Sequence, residues 1–324
     1  MTAKKIIAVV GATGSQGGGL VQAILAEPDG PFAVRALTRN AQSGKAQALA
    51  AAGAEVVEAD LSDESSLRKA FDGAYGAYVV TNYWVERTPE EEAAQTRAEM
   101  ELAQAEAAAK AAKDVGVAHV IWSTLEDTRP HFGDDDRVPS LHDGRYKVPH
   151  FDAKGEANEL FTRLDVPTTF LQTTFYFEAI TSGMGPVRGE DGNLILTLPM
   201  ADKPLSGIAA EDIGKTALGI FKRGDEFIGK TVSIAGDHLT GNEYAAALTE
   251  ALGEPVEYQP HSWDEYREFP MPIAVEVANM FQFYAEDSDR FTGDRDLKLV
   301  RELNPDLQSF KTWLAKHKHE IPLV

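Results

Sequence analysis

Three glycines in the run Gly11-Ala12-Thr13-Gly14-Ser15-Gln16-Gly17 follow an apolar stretch, residues 6–10, and open directly into a helical pattern. Glycine lets a chain turn tightly and approach a pyrophosphate closely, and a helix N-terminus offers unpaired N–H groups at the positive end of its dipole. A lone glycine triplet is weak evidence. Here strand, loop, helix and next strand follow in order, which is the context a dinucleotide site requires. The second strand ends in Thr38-Arg39-Asn40, not in the Asp or Glu that would accept the 2′-hydroxyl of NAD and exclude a 2′-phosphate. The Arg39 guanidinium presents a planar fork of donors to a phosphate, so NADP(H) is expected over NAD; the alternative is an ordinary surface arginine. Lys45 adds charge nearby or is simply an exposed helix lysine. Asp60 and Leu61 follow the third strand and are placed to border the adenine. Thr81-Asn82-Tyr83-Trp84 ends the fourth strand, at the carboxyl edge where open α/β sheets bind ligands. The aromatics there contact cofactor and substrate, or else cap the strand and pack in the core.

Such residues need a parallel sheet to hold them. Residues 1–125 alternate short apolar strands (5–10, 33–38, 54–58, 75–81, 119–123) with helical stretches (18–26, 44–52, 64–71 and a long Ala- and Glu-rich one, 89–115). Right-handed crossovers build these into an α/β doubly wound sheet. Periodicity disappears over 126–149, a Pro- and Asp-rich loop long enough to serve as a lid or binding segment unless it is merely disordered. A helix at 151–164 and a strand at 167–173 follow. Beyond Glu178 the elements shorten and mix (194–198, 242–252, 309–317). The division expected is a dinucleotide-binding Rossmann domain, 1–178, and a smaller C-terminal substrate or partner lobe, 179–324, with the chain free to cross between them. Residues 274–284 have helical spacing and read as a core helix of that lobe ahead of a substrate box.

The length of 324 residues suits about two domains at roughly 150 residues each. Hydrophobic residues at 43% leave enough apolar surface for a substantial core. With 31 Lys and Arg against 51 Asp and Glu, the net charge of −20 repels nucleic acid and anionic membranes, so an anionic ligand needs a local cationic site. The acidic runs read as solvated faces. The absence of cysteine excludes disulfides, thiolate catalysis and Cys-ligated zinc. His119, His131, His142, His238 and His261 lack metal-ligand spacing or a carboxylate-supported pair, and no metal site is expected. No apolar run near the start is long enough to span a membrane and no signal peptide precedes it, which points to a soluble cytoplasmic protein, monomeric or homodimeric.

The runs 11–16, 38–40, 81–84, His150-Phe151-Asp152-Ala153-Lys154-Gly155-Glu156, Tyr176-Phe177-Glu178 and Ala278-Asn279-Met280-Phe281 together resemble the atypical short-chain dehydrogenase/reductases. Within them the chain is similar to the NmrA-like family, especially HSCARG-like NADPH sensor proteins, over nearly its whole length. The resemblance implies a Rossmann domain with a smaller C-terminal lobe. It implies cofactor contacts from Gly11, Ala12, Thr13, Gly14, Ser15 and Gln16 in the first turn, and from Arg39, Asp60, Leu61, Thr81, Asn82, Tyr83, Lys154, Tyr176, Phe177 and Glu178; the turn reading adds Gly17 and Asn40. Ala179 stands where such proteins often have Asn, which removes a polar contact near the nicotinamide.

Active short-chain dehydrogenases pair Tyr-x-x-x-Lys with an upstream Ser or Thr, because a carbonyl receiving hydride needs a proton donor and an oxyanion partner. This chain has His150-x-x-x-Lys154, with Ser123 or Thr124 ending the fifth strand. Positions i and i+4 share a helix face, so Lys154 reaches the nicotinamide ribose, but the phenol is missing. His150 can donate a proton in its place, or is a structural residue at a helix start; Tyr146 in the preceding loop is a further candidate. Related isoflavone-reductase-like enzymes use the lysine without the tyrosine. Two functions are therefore carried forward. One is an NADPH/NADP sensor or regulator with an incomplete catalytic set and a protein partner. The other is an NADPH-dependent reductase of a small apolar acceptor such as a quinone, enone, imine or carbonyl.

Overall fold

The computed structural model describes residues 3–189 and 191–323. Its first half runs β1 (Lys5–Val9), α1 (Ser15–Leu25), β2 (Phe32–Thr38), α2 (Gly44–Ala51), β3 (Glu55–Glu58), α3 (Glu64–Phe71), β4 (Gly76–Val79), α4 (Pro89–Ala94), α5 (Arg97–Val115), β5 (His119–Thr124), α6 (Arg129–Phe132), α7 (Pro149–Arg163) and β6 (Thr168–Gln172). The second half runs β7 (Phe175–Tyr176), β8 (Val187–Arg188), β9 (Leu194–Leu196), β10 (Pro204–Ile208), α8 (Ala210–Lys222), β11 (Thr231–Ser233), β12 (Asp237–Thr240), α9 (Gly241–Leu252), β13 (Val256–Tyr258), α10 (Trp263–Arg267) and α11 (Ala274–Glu286). Short helices complete the C-terminus.

Seven strands form one parallel sheet in the order β3-β2-β1-β4-β5-β6-β11. Buried on both faces, its central strands are continuous apolar runs such as the Ile7-Ala8-Val9 of β1. α1 and α8 cover one face, while the small side chains of α5, with α3 and α7, cover the other. The sequence order reverses between β1 and β4, and a crevice opens at that switch point outside the carboxyl ends of the strands. The chain is thus an α/β doubly wound protein. β11 joins this sheet from beyond residue 178, and so does α8. A Cβ on Gly19 of α1 would meet the Glu211 carbonyl at 2.3 Å, and one on Gly214 of α8 would meet the Leu20 nitrogen at 2.1 Å. Only glycine at both positions lets the two helices lie this close.

Two three-stranded sheets, β12-β10-β7 and β13-β9-β8, pack with α9, α11 and the C-terminal helices around a second core rich in aromatics. Phe177 sits at its centre, against Phe310 and Trp313.

Two expectations change. The helix expected over 89–115 is two helices, because Thr96 and Glu99 form a capping box that starts α5 afresh after Gln95 turns extended. The segment 126–149 is not a free loop but is fastened down. Phe132, Val138 and Val148 enter the second core, and the Lys147 ammonium donates to the carbonyls of Asp135 and Val138. Asp152 accepts from the N–H groups of Lys147, Val148 and Thr128, which ties both ends of the segment to α7. No helix among the described residues is long and apolar enough to cross a membrane.

Candidate functional site

The crevice is a cleft of about 1130 Å³ that takes in the first turn, the ends of β2, β3 and β4, the start of α7 and the face of the second lobe. Gly11 has φ +67°, and a Cβ on Gly17 would lie 2.5 Å from the Gly11 carbonyl oxygen, so the turn folds back on itself with no room for a side chain. Behind it α1 begins at Gly14 with no side-chain cap and no acidic residue in its first turn. Elsewhere α4, α5, α9 and α10 each carry a capping box. The open amides of α1 aim at the cleft, and a pyrophosphate fits that cradle by charge and by shape.

Arg39 lines the cleft, is exposed, and has no ion-pair or hydrogen-bond partner among the described residues. The turn carrying it is set by its neighbours: Asn40 N–H donates to Thr38 Oγ1 at 3.2 Å, and Asn40 Oδ1 accepts the Gln42 N–H at 2.9 Å. Glu58 on the adjacent strand turns toward the Ala41 N–H at 3.4 Å and does not line the cleft.

Gln16 is the hub of the turn. Its Oε1 accepts from Tyr78 OH at 2.5 Å and from Ser123 Oγ at 2.7 Å, and its Nε2 donates to Tyr176 OH at 2.5 Å. Burial holds both tyrosines above the usual phenol range, so they act as neutral hydrogen-bonding groups. Ser123, expected as a catalytic residue, gives its hydroxyl hydrogen to Gln16, is 2% exposed and does not line the cleft. Three of the residues expected to touch the cofactor are also absent from the cleft lining. Ala12 is buried within the turn, Phe177 belongs to the second core, and the Glu178 carboxylate accepts the Ala210 N–H that begins α8. The other expected site residues, Gly11, Thr13, Gly14, Ser15, Gln16, Gly17, Arg39, Asn40, Asp60, Leu61, Thr81, Asn82, Tyr83, His150, Lys154 and Tyr176, all line the cleft.

Lys154 Nζ bonds Thr81 Oγ1 at 2.5 Å and stands 2.7 Å from Glu101 Oε2, which also accepts from Thr81 Oγ1 at 2.8 Å. Glu101 comes from the alanine face of α5, among Ala98, Ala105, Ala108 and Ala112, and is fully buried. One turn before Lys154, His150 Nδ1 lies 2.6 Å from Glu276 Oε1, which also accepts the His150 backbone N–H at 2.8 Å. Tyr83 OH approaches the other oxygen of Glu276 at 3.4 Å. Burial raises the Tyr83 phenol above its ordinary range, and the Glu276 charge adds to that. The indole of Trp84 lies 5.0 Å from the imidazole and is 44% exposed. Tyr146 is buried against Glu156 and does not reach the cleft. The imidazole of His131 is 3.3 Å from Glu286, a carboxylate partner that spacing did not reveal.

Sequence reasoning missed Glu101 and Glu276. A signal existed for Glu101, a carboxylate at helical spacing inside a stripe of alanines. Glu276 lies 126 positions from its partner and had none. Beyond the imidazole the cleft wall is apolar, from Phe151, Phe175, Met184 and Met280.

The model of the NmrA-like family matches residues 3–310. The NmrA-like family domain-containing oxidoreductase malD of Malbranchea aurantiaca is 29% identical over 339 residues, covering 97% of this chain and 97% of its own. The crystal structure of NmrA, a negative transcriptional regulator, in complex with NADP superposes with TM-score 0.73 at 23% identity, covering 97% of this chain and 95% of that one. The triphenylmethane reductase of Citrobacter sp., complexed with NADP(H), gives TM-score 0.70 at 20% identity over 97% and 99%. Both structural likenesses show the shared fold.

Proposed function

The chain belongs to the NmrA-like family, and from that premise we propose that it is an NADP(H)-dependent reductase of a small apolar acceptor. The observation that carries the reading is the placement of His150 and Lys154 one helical turn apart on the cleft wall, with the imidazole held by a carboxylate and facing an apolar pocket. The first-turn amides of α1 would hold the pyrophosphate, Arg39 the 2′-phosphate, Asp60 and Leu61 the adenine side, and Thr81, Asn82, Tyr83, Lys154 and Tyr176 the nicotinamide half. When bound, that cofactor supplies a hydride. His150 then stands where a proton can be delivered to the acceptor, and the Lys154–Glu101–Thr81 cluster fixes the floor of the pocket. The neighbours solved with NADP or NADP(H) support this cofactor, and relatives named oxidoreductases support this chemistry.

One observation favours the sensor reading: the turn is bonded through Gln16 to Tyr176, whose strand β7 pairs with β10 of the second lobe, so occupancy of the turn bears on that lobe. A ligand shifts such an equilibrium only by binding its two states unequally. The readings separate by experiment. NADPH oxidation is followed against a panel of quinones, enones, imines and aldehydes, and limited proteolysis is run with and without NADPH. Turnover with one class that His150→Phe abolishes, while NADPH still binds, supports the reductase. Absence of turnover together with a changed proteolytic pattern supports the sensor.

A further inference from the structure

We infer that Glu276 is the positioning residue that makes His150 the proton donor, a deepening that rests on the reductase reading. One oxygen of Glu276 accepts two bonds from the same residue, the backbone N–H at 2.8 Å and the ring Nδ1 at 2.6 Å. A carboxylate offers only lone pairs, so Nδ1 must carry a hydrogen, and Nε2 is the nitrogen left for chemistry. Nε2 has no hydrogen-bond partner among the described residues, and His150 lines the cleft. The ring centroids of Tyr83, Trp84 and Phe151 stand 5.8, 5.0 and 4.9 Å from that of the imidazole and pack around it. Glu276 is itself fixed, because Asn279, one turn further along α11, donates to the carbonyls of Pro139 and Lys147 just ahead of α7. The second lobe thus sets the imidazole from outside the Rossmann sheet.

With a carbonyl acceptor the step balances as follows. Bound NADPH would supply a hydride, its C4–H bond breaking to leave NADP+, and the hydride would add to the carbonyl carbon with both its electrons, forming C–H, as the C–O π pair moves onto oxygen. Oxygen takes the proton from Nε2 of the doubly protonated His150 ring, forming O–H, while the N–H pair stays on Nε2 and leaves the neutral ring with its hydrogen on Nδ1. A proton from bulk solvent, relayed through water, restores the doubly protonated ring at Nε2, and the Nδ1–H bond to Glu276 persists throughout.

The test compares wild type with Glu276→Gln, which keeps an acceptor oxygen and loses the charge, and Glu276→Leu, which loses both. Nitrogen-15 NMR of the neutral imidazole reads the tautomer without turnover. The expected result is the proton on Nδ1 in wild type and Glu276→Gln, and on Nε2 in Glu276→Leu. With an accepted substrate, kcat falls about 10-fold in Glu276→Gln and about 100-fold in Glu276→Leu, within the range of general-acid catalysis, while KM for NADPH stays within about twofold. Should Glu276→Leu fail to fold, Glu276→Gln carries the kcat comparison and wild type the tautomer. A neutral ring in active wild type with its hydrogen on Nε2 and none on Nδ1, or unchanged kcat in the folded variants, overturns the assignment of Glu276 alone. Wild type inert toward every acceptor overturns the reductase reading, and with it the donor role.

Discussion

Lys154 Nζ stands 2.7 Å from a carboxylate oxygen of Glu101, in a pair whose side chains are 11% and 1% exposed. The ammonium that the sequence offers to a cofactor is therefore already matched by a buried charge, and Thr81 Oγ1 bonds both partners. Removing one member leaves the other buried and uncompensated, a loss of about 3–5 kcal/mol, whereas an apolar pair of similar volume is close to neutral. Glu101→Leu and Lys154→Met should each lose about that much in urea unfolding, and the double variant should recover most of it. Losses that simply add in the double variant would show that the two charges do not support one another.

Arg39 has no partner among the described residues, so its substitution disturbs nothing else in the fold. If it holds a 2′-phosphate, Arg39→Ala gives up a charge-assisted hydrogen-bonding group of about 1.5–3 kcal/mol, or roughly 10- to 100-fold in affinity for NADPH. NADH has no such phosphate and its affinity should hardly move. Fluorescence titrations at one fixed salt concentration read both, since screening weakens an exposed contact. Equal losses for the two nucleotides would remove Arg39 from the site.

The turn around Gly11 and Gly17 and the positions of the first six parallel strands along the chain are legible because each rests on local signals: apolar runs, glycine spacing and helix starts. The seventh strand is not, since Thr231–Ser233 is three residues long and finds its place only by pairing with β6. The site divides the same way. Gln16, Arg39, His150 and Lys154 are readable from their neighbours in sequence, but the groups that fix two of them, Glu101 and Glu276, act through tertiary contacts 53 and 126 positions away. The surroundings of Ser123 are hidden for a related reason: its type suits catalysis, yet its hydroxyl donates to Gln16 Oε1, the same oxygen that accepts from the phenol of Tyr78. The loop at 126–149 reads as free because its anchors, Asn279 and Asp152, lie outside it.

His119, at the start of β5, gives the fold a dependence on acid. The ring is fully buried against Phe221, and Nε2 meets Thr169 Oγ1 at 2.8 Å. Burial disfavours the charged ring and pushes its pKa from 6.5 down to about 4. Between those values the unfolded chain binds a proton that the folded chain does not, so stability rises with pH across the window and is lost as pH falls through it. At 1.36 kcal/mol per unit the loss from this one ring is about 3 kcal/mol. His119→Phe keeps an aromatic beside Phe221 and has nothing to titrate. It leaves the Thr169 hydroxyl unpaired, but that cost is the same at every pH. Urea unfolding at pH 7 and near pH 4 should therefore show the variant losing about 3 kcal/mol less than wild type between the two conditions. Parallel losses in the two proteins would mean that the buried ring is reached by protons without unfolding, and that the acid sensitivity lies elsewhere.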